Sequence, residues 1–326
     1  MTMKAVRIMS PGPAKSLVYE SIPKPTLPSA SVLVKNKFSG VNFIDTYFRT
    51  GVYPTPMPTV LGEEGSGVIE KVGSDVKDFA VGDRVAYITR TASYAEYTIP
   101  DDRYIKKIPD SVSFELGAAS MTQGLTAICL TNQSYKVKKG DIVLIHAAAG
   151  GTGRLFVQIC KHYGATVIAT VSTEEKADIV RKLGADNVIL YTQEDVPTKV
   201  REFTNGKMAD VVFDGVGKST FQASFDSLRR CGTLVSFGNA SGKVPPIEIN
   251  MLSKGNIVLL RPQLYGYLTT REEFETAATE LFDLIAKKVL DINICKIFDL
   301  KDAEKAHEFI EARKTTGKIL LRIDDK

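Results

Sequence analysis

The sequence predicts an α/β protein in which an all-β, barrel-like unit precedes a doubly wound parallel sheet. Short strand-like runs broken by glycine and proline fill the chain up to about Pro109. From Phe114 onward, apolar strands alternate strictly with helical patterns, which is typical of a parallel sheet with right-handed crossovers. A glycine-rich turn at residues 146–153 joins the first of these strands to a helix. Together these observations define the predicted fold class.

Length and composition limit the classes of protein to consider. A chain of 326 residues exceeds the usual size of one hydrophobic core, so we expect two domains, residues 1–123 completed by 264–326, and residues 124–263. The net charge of +4, from 42 basic and 38 acidic residues, is too small to indicate nucleic acid as a partner. The dispersed cysteines Cys129, Cys160, Cys231 and Cys295 predict a reducing compartment. No run approaches the roughly 20 apolar residues of a membrane span, so we expect a cytoplasmic protein.

Apolar periodicity and turn residues locate the individual elements. The predicted strands of the first part are Lys4–Ile8, Ser31–Lys37, Gly65–Val72, Arg84–Ile88 and Tyr94–Ile99. Those of the second part are Val143–Ile145, Val167–Val171, Val188–Leu190, Val211–Phe213, Leu234–Phe237 and Ile257–Leu260, with helices beginning near Gly153, Glu174, Asp195, Ser219 and Glu272. Residues Lys301–Arg313 read as a helix. The final strand, Lys318–Ile323, has no helix after it, and we expect it to return to the first domain.

The glycine-rich turn predicts a dinucleotide site. The turn reads Ala148-x-Gly150-x-x-Gly153, with alanine in place of the first glycine of the usual fingerprint, and it joins a strand to a helix as that fingerprint requires. Backbone N–H groups and the positive end of the helix dipole would face a pyrophosphate there. The candidate contacts are Ala149, Gly150, Gly151, Thr152 and Gly153. The alternative is a simple packing turn.

The second strand of the parallel sheet indicates which dinucleotide is bound. It ends Val171-Ser172-Thr173, without the acidic residue that holds the ribose 2′-hydroxyl of NAD. Ser172 and Lys176 could instead bind a 2′-phosphate, which favours NADP(H). Three alternatives stay open: Ser172 or Thr173 caps the following helix, Lys176 is only a solvated charge, or Glu174 turns back to the ribose.

Loops after the later strands extend the candidate site. Gly217, Phe237, Gly238 and Ser241 follow strands whose carboxyl ends share one edge of a parallel sheet, which is where such sheets bind ligands. We therefore expect these loops to follow the cofactor toward its nicotinamide. Phe237 is equally well explained as a core residue.

Several separated motifs resemble one known family. They are Gly140-Asp141-x-x-Leu144, Ala148-Ala149-Gly150-Gly151-x-Gly153 followed by Gln158 and Lys161, Gly40–Tyr47, Ser236–Asn239 and Arg261–Tyr267. This set is similar to the quinone oxidoreductase and zeta-crystallin branch of the medium-chain dehydrogenases/reductases, over essentially the whole chain. The resemblance implies a GroES-like β-barrel catalytic domain and a Rossmann domain. Arg154 departs from it, since the family usually has an apolar residue there.

The resemblance also points to chemistry without a metal. Zinc enzymes of the wider superfamily carry a cysteine where this chain has Asn42 and a histidine where it has Glu63. The histidines, His146, His162 and His307, share no metal-ligand spacing, so we expect no zinc site. Quinones and activated enones accept hydride or electrons without a Lewis acid and are the expected substrates.

By resemblance, Asn42, Tyr47 and Tyr53 face the nicotinamide, Thr126 lies nearby and Tyr191 contacts the adenine side. An aromatic ring can flank a flat acceptor, and a tyrosine hydroxyl can donate to an oxygen that gains negative charge. The alternatives are that Tyr47 and Tyr53 belong to an ordinary packed loop and that Tyr191 packs at a strand end. No residue stands out as a general acid.

The leading functional hypothesis is an NADPH-dependent quinone oxidoreductase, working by hydride or by one-electron transfer. An NADPH-dependent enone or alkenal reductase is the closest alternative. A non-catalytic role, as a crystallin or an AU-rich RNA binder, is the alternative of another class, although the nearly neutral charge and the lack of an RNA-module signature argue against RNA. The apolar edge strand Ile257–Leu260 would invite pairing if left bare, and the resemblance makes it the seam of a homodimer.

Overall fold

The computed structural model describes residues 1–312 and 314–323. Contacts divide the chain into two compact units, the first formed by Met1–Leu125, Thr269–Lys288 and Ile292–Lys326, and the second by Thr126–Leu268 and Val289–Asp291. The sequence placed the boundaries at 123/124 and 263/264. It did not indicate that the short segment Val289–Asp291 belongs to the second unit.

The first part of the chain is rich in short strands, as predicted. In order its elements are β1 Thr2–Ile8, β2 Val18–Pro23, β3 Val32–Val41, α1 Phe43–Arg49, β4 Thr59–Val60, β5 Glu64–Val72, β6 Arg84–Ile88, β7 Tyr97–Thr98, β8 Ile105–Lys107 and α2 Phe114–Cys129. The predicted strand Tyr94–Ile99 is wrong over most of its length. Tyr97–Thr98 pairs with β3, whereas the residues before it make only isolated backbone contacts to β1. The N–H of Val6 donates to the carbonyl of Tyr94 at 2.8 Å, and Ala95 forms a single bridge to Ala5.

The second part alternates strands and helices. Its elements are β9 Ile142–Ile145, α3 Gly151–His162, β10 Thr166–Val171, α4 Glu174–Lys182, β11 Asn187–Leu190, α5 Val196–Phe203, β12 Ala209–Asp214, α6 Phe221–Asp226, β13 Leu228–Ser236, β14 Val258–Leu260 and α7 Leu264–Tyr267. Among the described residues, the strands form a six-stranded parallel sheet in the order β11-β10-β9-β12-β13-β14. The order reverses between β9 and β12, and sheets of this type bind ligands at such a reversal.

The last elements return to the first unit. They are α8 Arg271–Ala286, β15 Ile294–Asp299, α9 Ala303–Glu311 and β16 Lys318–Arg322. Strand β16 pairs antiparallel with β3, which confirms the expected return of the final strand. Of the predicted helix, Arg313 lies outside the described residues. Within the described part of the chain the first unit contains a sheet ordered β15-β16-β3-β5-β6-β8, with β7 on β3, and a smaller sheet ordered β2-β1-β4.

The parallel sheet is buried on both faces, as the near-continuous apolar strands predict. On one face, Leu144, Ile168 and Leu234 from three strands are fully buried in one cluster. Outside this cluster, Phe156 of α3 packs on the sheet by stacking on Phe213 of β12, with ring centroids 4.5 Å apart. The rigid sheet holds the carboxyl ends of its strands in one row.

Across residues 1–312 and 314–323, every helix is too short or too polar to span a bilayer.

Candidate functional site

The turn after β9 has the backbone geometry of an anion site. Gly150 is the N-cap of α3, and the first backbone bond inside the helix runs from the N–H of Arg154 to the carbonyl of Gly150, 2.9 Å. The N–H groups of Gly151, Thr152 and Gly153 precede that bond, so they point beyond the helix toward a ligand position.

Close packing explains why this turn needs small residues. A Cβ at Gly153 would lie 2.4 Å from the carbonyl oxygen of Ala147 and 2.7 Å from Cα of Ala148. Ala147 itself adopts a positive φ of 49°. Ala149 is only 2% exposed and forms part of the wall, whereas Gly150, Gly151 and Thr152 are partly exposed. Gly150, Gly151 and Thr152 are therefore the accessible residues at the start of α3.

The tip of β10 contains no acidic side chain. Thr173 caps α4, with its hydroxyl accepting from the backbone N–H of Lys176, 3.4 Å. Glu174 pairs with Arg181 at 3.2 Å. Ser172 and Lys176 are half-buried beside this cap. Glu174 is thus paired along α4.

The remaining candidates also follow the carboxyl ends of parallel strands. Tyr191 comes directly after β11 and is 50% exposed, which disfavours the packing alternative. Phe237 is partly exposed but packs on Phe156, with ring centroids 5.4 Å apart, as its core alternative predicts.

A buried carboxylate orders the loop after β12, and a serine hydroxyl and close backbone contact join this loop to the one after β13. Asp214 accepts from the N–H of Gly217 at 3.0 Å, and the Ser241 hydroxyl donates to the carbonyl of Val216 at 2.8 Å. A Cβ at Gly238 would lie 2.2 Å from the carbonyl oxygen of Gly215. Gly217 and Gly238 therefore serve first to bring two loops into contact.

Arg261, directly after β14, was missed as a candidate. Its guanidinium donates to the carbonyl oxygens of Ser236 at 2.8 Å and Gly238 at 3.1 Å. It adds a cation to the row of strand ends. The signal in the sequence was its position after the last parallel strand.

In the first unit, a buried hydrogen-bond network fixes the Asn42 side chain. Its Nδ2 donates to Glu64 at 2.6 Å, and its Oδ1 accepts from Lys318 at 2.6 Å and from Gln123 at 3.3 Å. Lysine can only donate and a carboxylate can only accept, so the orientation of the amide is determined. Asn42 is 4% exposed.

Glu64 and Lys318 form a salt bridge whose side chains are 0% and 1% exposed. The second carboxylate oxygen of Glu64 accepts from the backbone N–H of Thr122, 2.7 Å. A Cβ at Gly40 would lie 2.2 Å from Glu64 Oε1, so glycine in β3 makes room for this pair. The sequence analysis identified neither Glu64 nor Lys318 as a candidate. The feature that could have indicated them is a charged residue at the start of an otherwise apolar or glycine-rich strand.

A second buried network supports the start of α1. Asp45 Oδ2 accepts from the backbone N–H of Asn42 at 2.8 Å and from the Tyr94 hydroxyl at 3.0 Å. His307 Nδ1 faces the guanidinium of Arg49 at 3.4 Å, so Nδ1 is the acceptor and Nε2 carries the proton that faces Tyr94 at 3.2 Å. Burial raises the pKa of Asp45 to about 7, and burial with the charge of Arg49 lowers the pKa of His307 to about 3.

Glu63 is a buried acid beside these networks. Burial, followed by the nearby carboxylates Asp45 and Glu64, raises its pKa well above the ordinary value. The sequence indicated Glu63 only as the residue in place of a zinc-ligating histidine.

The candidate tyrosines form an aromatic cluster after Asn42. Tyr47 and Tyr53 meet edge to face with centroids 5.2 Å apart, and both are partly exposed. Phe43 and Phe48 contact them from α1. Thr126, the last of the predicted site residues, lies half-buried on α2. The cluster provides flat apolar surface together with two hydroxyl groups.

For the part of the chain that the structure describes, no group of three or more His, Cys, Asp or Glu side chains is arranged to hold a metal ion.

Comparison with known proteins matches both units. Residues 28–110 match the family described as alcohol dehydrogenase GroES-like domain, and residues 151–283 match the family described as zinc-binding dehydrogenase. A probable quinone oxidoreductase of Schizosaccharomyces pombe is 42% identical over 324 residues, 98% of this chain and 97% of that protein. A 2-haloacrylate reductase of a Burkholderia species is 40% identical over 331 residues, 98% and 99% of the two chains.

Among solved structures, Escherichia coli quinone oxidoreductase complexed with NADPH superposes with a TM-score of 0.95 at 40% identity, over 98% of this chain and 100% of that one. The fold and these matches define a medium-chain dehydrogenase/reductase, which confirms the predicted fold class. Within that superfamily, the chain belongs to the zeta-crystallin-like quinone oxidoreductase family, as the sequence motifs predicted.

We predict that Lys318→Met lowers the free energy of unfolding by about 3–5 kcal/mol, because it leaves the Glu64 carboxylate buried without its cation. Adding Glu64→Gln should restore most of the loss, since the double variant buries no charge. Urea unfolding of the purified variants measures both effects.

The control for this prediction is Lys305→Met, which removes the surface pair with Asp302, 2.7 Å, and should leave the free energy of unfolding almost unchanged. An equal decrease in the free energy of unfolding for Lys318→Met and Lys305→Met would contradict a special contribution of the buried Glu64–Lys318 pair.

Proposed function

We propose that this protein is an NADPH-dependent quinone oxidoreductase. The observation that carries the proposal is the row of strand ends in the second unit, where a glycine turn fit for a pyrophosphate lies beside a strand tip without an acid. The named activity of relatives that match over nearly the whole chain supports the same conclusion. The E. coli relative whose structure superposes on this chain was solved as a complex with NADPH.

The chain's own residues suit each part of NADPH. The first-turn N–H groups of α3 would hold the pyrophosphate. Ser172 and Lys176 would bind the 2′-phosphate, and the half-exposed ring of Tyr191 would cover the adenine. When bound, the nicotinamide supplies the hydride or the electrons for reduction. Gly217, Gly238 and Ser241 would shape the path of the cofactor, while Phe237 supports it by packing.

For the acceptor, we assign Asn42, Tyr47 and Tyr53. The two rings provide flat contact for a quinone, and a hydroxyl can donate to a carbonyl oxygen that gains negative charge. Asn42 is held in one orientation, with Lys318 at its carbonyl oxygen polarising the amide. A preorganised donor of this kind stabilises developing charge without reorganising. The buried acid Glu63 is the added candidate for a proton source.

An enone reductase is the second candidate function. The 2-haloacrylate reductase at 40% identity takes its name from a substrate with an activated double bond. The same hydroxyl and amide donors could stabilise an enolate oxygen. The same donors could stabilise a reduced quinone or an enolate, so the two candidate functions are distinguished by measuring turnover of a quinone and of an enone.

We also propose a cytoplasmic homodimer. Strand β14 pairs with β13 on one side only, and Val258 at its start is 48% exposed. An open apolar edge favours pairing with the same edge of a second copy around a two-fold axis. Ile257, predicted as part of this edge, is instead 8% exposed and belongs to the core. Cys160, buried, and Cys231, exposed, remain thiols, which fits a reducing compartment.

We predict that purified protein oxidises NADPH with 9,10-phenanthrenequinone and that Tyr53→Phe lowers kcat more than it raises KM, because the hydroxyl acts on charge that develops during the reaction. Parallel assays with the quinone and with an alkenal measure this. NADPH oxidation by the alkenal alone would replace the quinone assignment with the enone reductase.

For the cofactor, Lys176→Ala should weaken NADPH binding by roughly tenfold or more and leave NADH binding nearly unchanged, because only NADPH has a 2′-phosphate. Fluorescence titration with both dinucleotides gives the two dissociation constants. Glu174→Gln is the matched control and should alter neither. Equal weakening of NADPH and NADH by Lys176→Ala would remove the 2′-phosphate assignment.

For the dimer, Val258→Lys should shift the protein toward monomer, since a charge at the seam must be desolvated on pairing. Sedimentation velocity at micromolar concentration reports the change. A wild-type monomer under these conditions would disprove the proposed assembly.

A further inference from the structure

A cavity of about 600 Å³ opens between α3 and α4 in the second unit, and its lining contains none of the candidate cofactor contacts. Helix α3 contributes Arg154, Gln158 and Lys161, which share one face of the helix, and α4 contributes Lys182. Its volume lies within the range of small-molecule sites, about 300–1,000 Å³. Lys161 and Lys182 lie in the last turns of their helices, whereas the dinucleotide turn and Lys176 lie at the opposite, N-terminal ends.

The far wall of the cavity is fixed by one buried amide. Gln158 Oε1 accepts from the backbone N–H of Asp291 at 2.7 Å, while its Nε2 donates to the carbonyl oxygens of Asp291 at 3.3 Å and Arg154 at 3.1 Å. Gln158 is 8% exposed. The segment Val289–Asp291 is thereby attached to α3, which explains its membership of the second unit.

The cavity has an excess of positive charge around a buried arginine. Arg154 has a side chain only 9% exposed, and its guanidinium lies 3.5 Å from a carboxylate of Asp291 that is 74% exposed. Lys161 is bound to Asp186 at 2.8 Å, and Lys182 is exposed. Arginine in such surroundings is suited to a planar, two-point contact with an anionic group.

Apolar side chains complete the lining. Ile179 and Leu183 of α4, with Val289 opposite, border the cavity beside the cations. A ligand that satisfies both parts has an anionic group and a compact carbon skeleton. We propose that this cavity binds a small organic phosphate, with its phosphate on Arg154 and Lys182 and its skeleton on Ile179 and Leu183.

Phenyl phosphate tests the proposal, with inorganic phosphate as the probe that lacks a carbon skeleton. Titration calorimetry on the full-length protein, first saturated with NADPH to block the other phosphate site, should show one saturable site for phenyl phosphate and weaker binding of inorganic phosphate. Arg154→Met should weaken phenyl phosphate about tenfold or more. Lys182→Met, an exposed change that preserves the fold, should weaken it about two- to fivefold.

Arg201→Met is the matched control, because it removes an exposed arginine of the same unit outside the cavity and should leave binding unchanged. The proposal is overturned if phenyl phosphate does not bind the NADPH-saturated protein, or if Arg154→Met and Lys182→Met bind it as wild type does. If inorganic phosphate and phenyl phosphate bind with equal affinity, the proposal that the ligand is an organic phosphate is wrong. None of these outcomes depends on quinone reduction.

Discussion

The buried salt bridge between Glu64 and Lys318 is the interaction on which the first unit depends. Two charges at 0% and 1% exposure are tolerated only when each satisfies the other and the remaining polar atoms have partners. Glu64 lies on β5 and Lys318 on β16, and the same contacts reach Asn42 before α1 and Thr122 on α2. The pair therefore fixes four elements relative to each other, and a slip of either strand would leave a buried charge alone.

This constraint also shapes the chemistry. An asparagine in an ordinary loop samples several orientations, but Asn42 has an acceptor on its nitrogen side and a cation on its oxygen side. The neighbouring Asp45, Tyr94 and His307 hold the start of α1 by hydrogen bonds among largely neutral groups. Stability and preorganisation thus come from the same buried polar residues. In the second unit, preorganisation comes from the parallel sheet, because the carboxyl ends of its strands lie side by side at one edge.

Prediction from sequence succeeded where a local rule governs the structure. The parallel strands are continuous apolar runs, and the helix at the glycine turn begins at Gly151, close to the predicted Gly153. It was less successful where pairing depends on distant chain segments. Strand β15 was not recognised, and most of Tyr94–Ile99 is not strand because its backbone makes only isolated contacts to β1, a segment about 90 residues away in the chain. Arg154 stood out in the sequence as an exception, but only its neighbours from α4 and Asp291 show that it lines a cavity.

The sequence by itself determined the fold class, the family, the glycine turn and the absence of an acid at the tip of β10, because each depends on residues that are near one another in the chain. The tertiary structure decided the orientation of Asn42, the pairing of Glu64 with Lys318 and the buried state of Glu63. The partners in the first two lie 276 and 254 residues apart, and no local pattern reports such a contact. The free energy of a buried charge depends on what surrounds it in space, and only the folded chain brings that partner within reach.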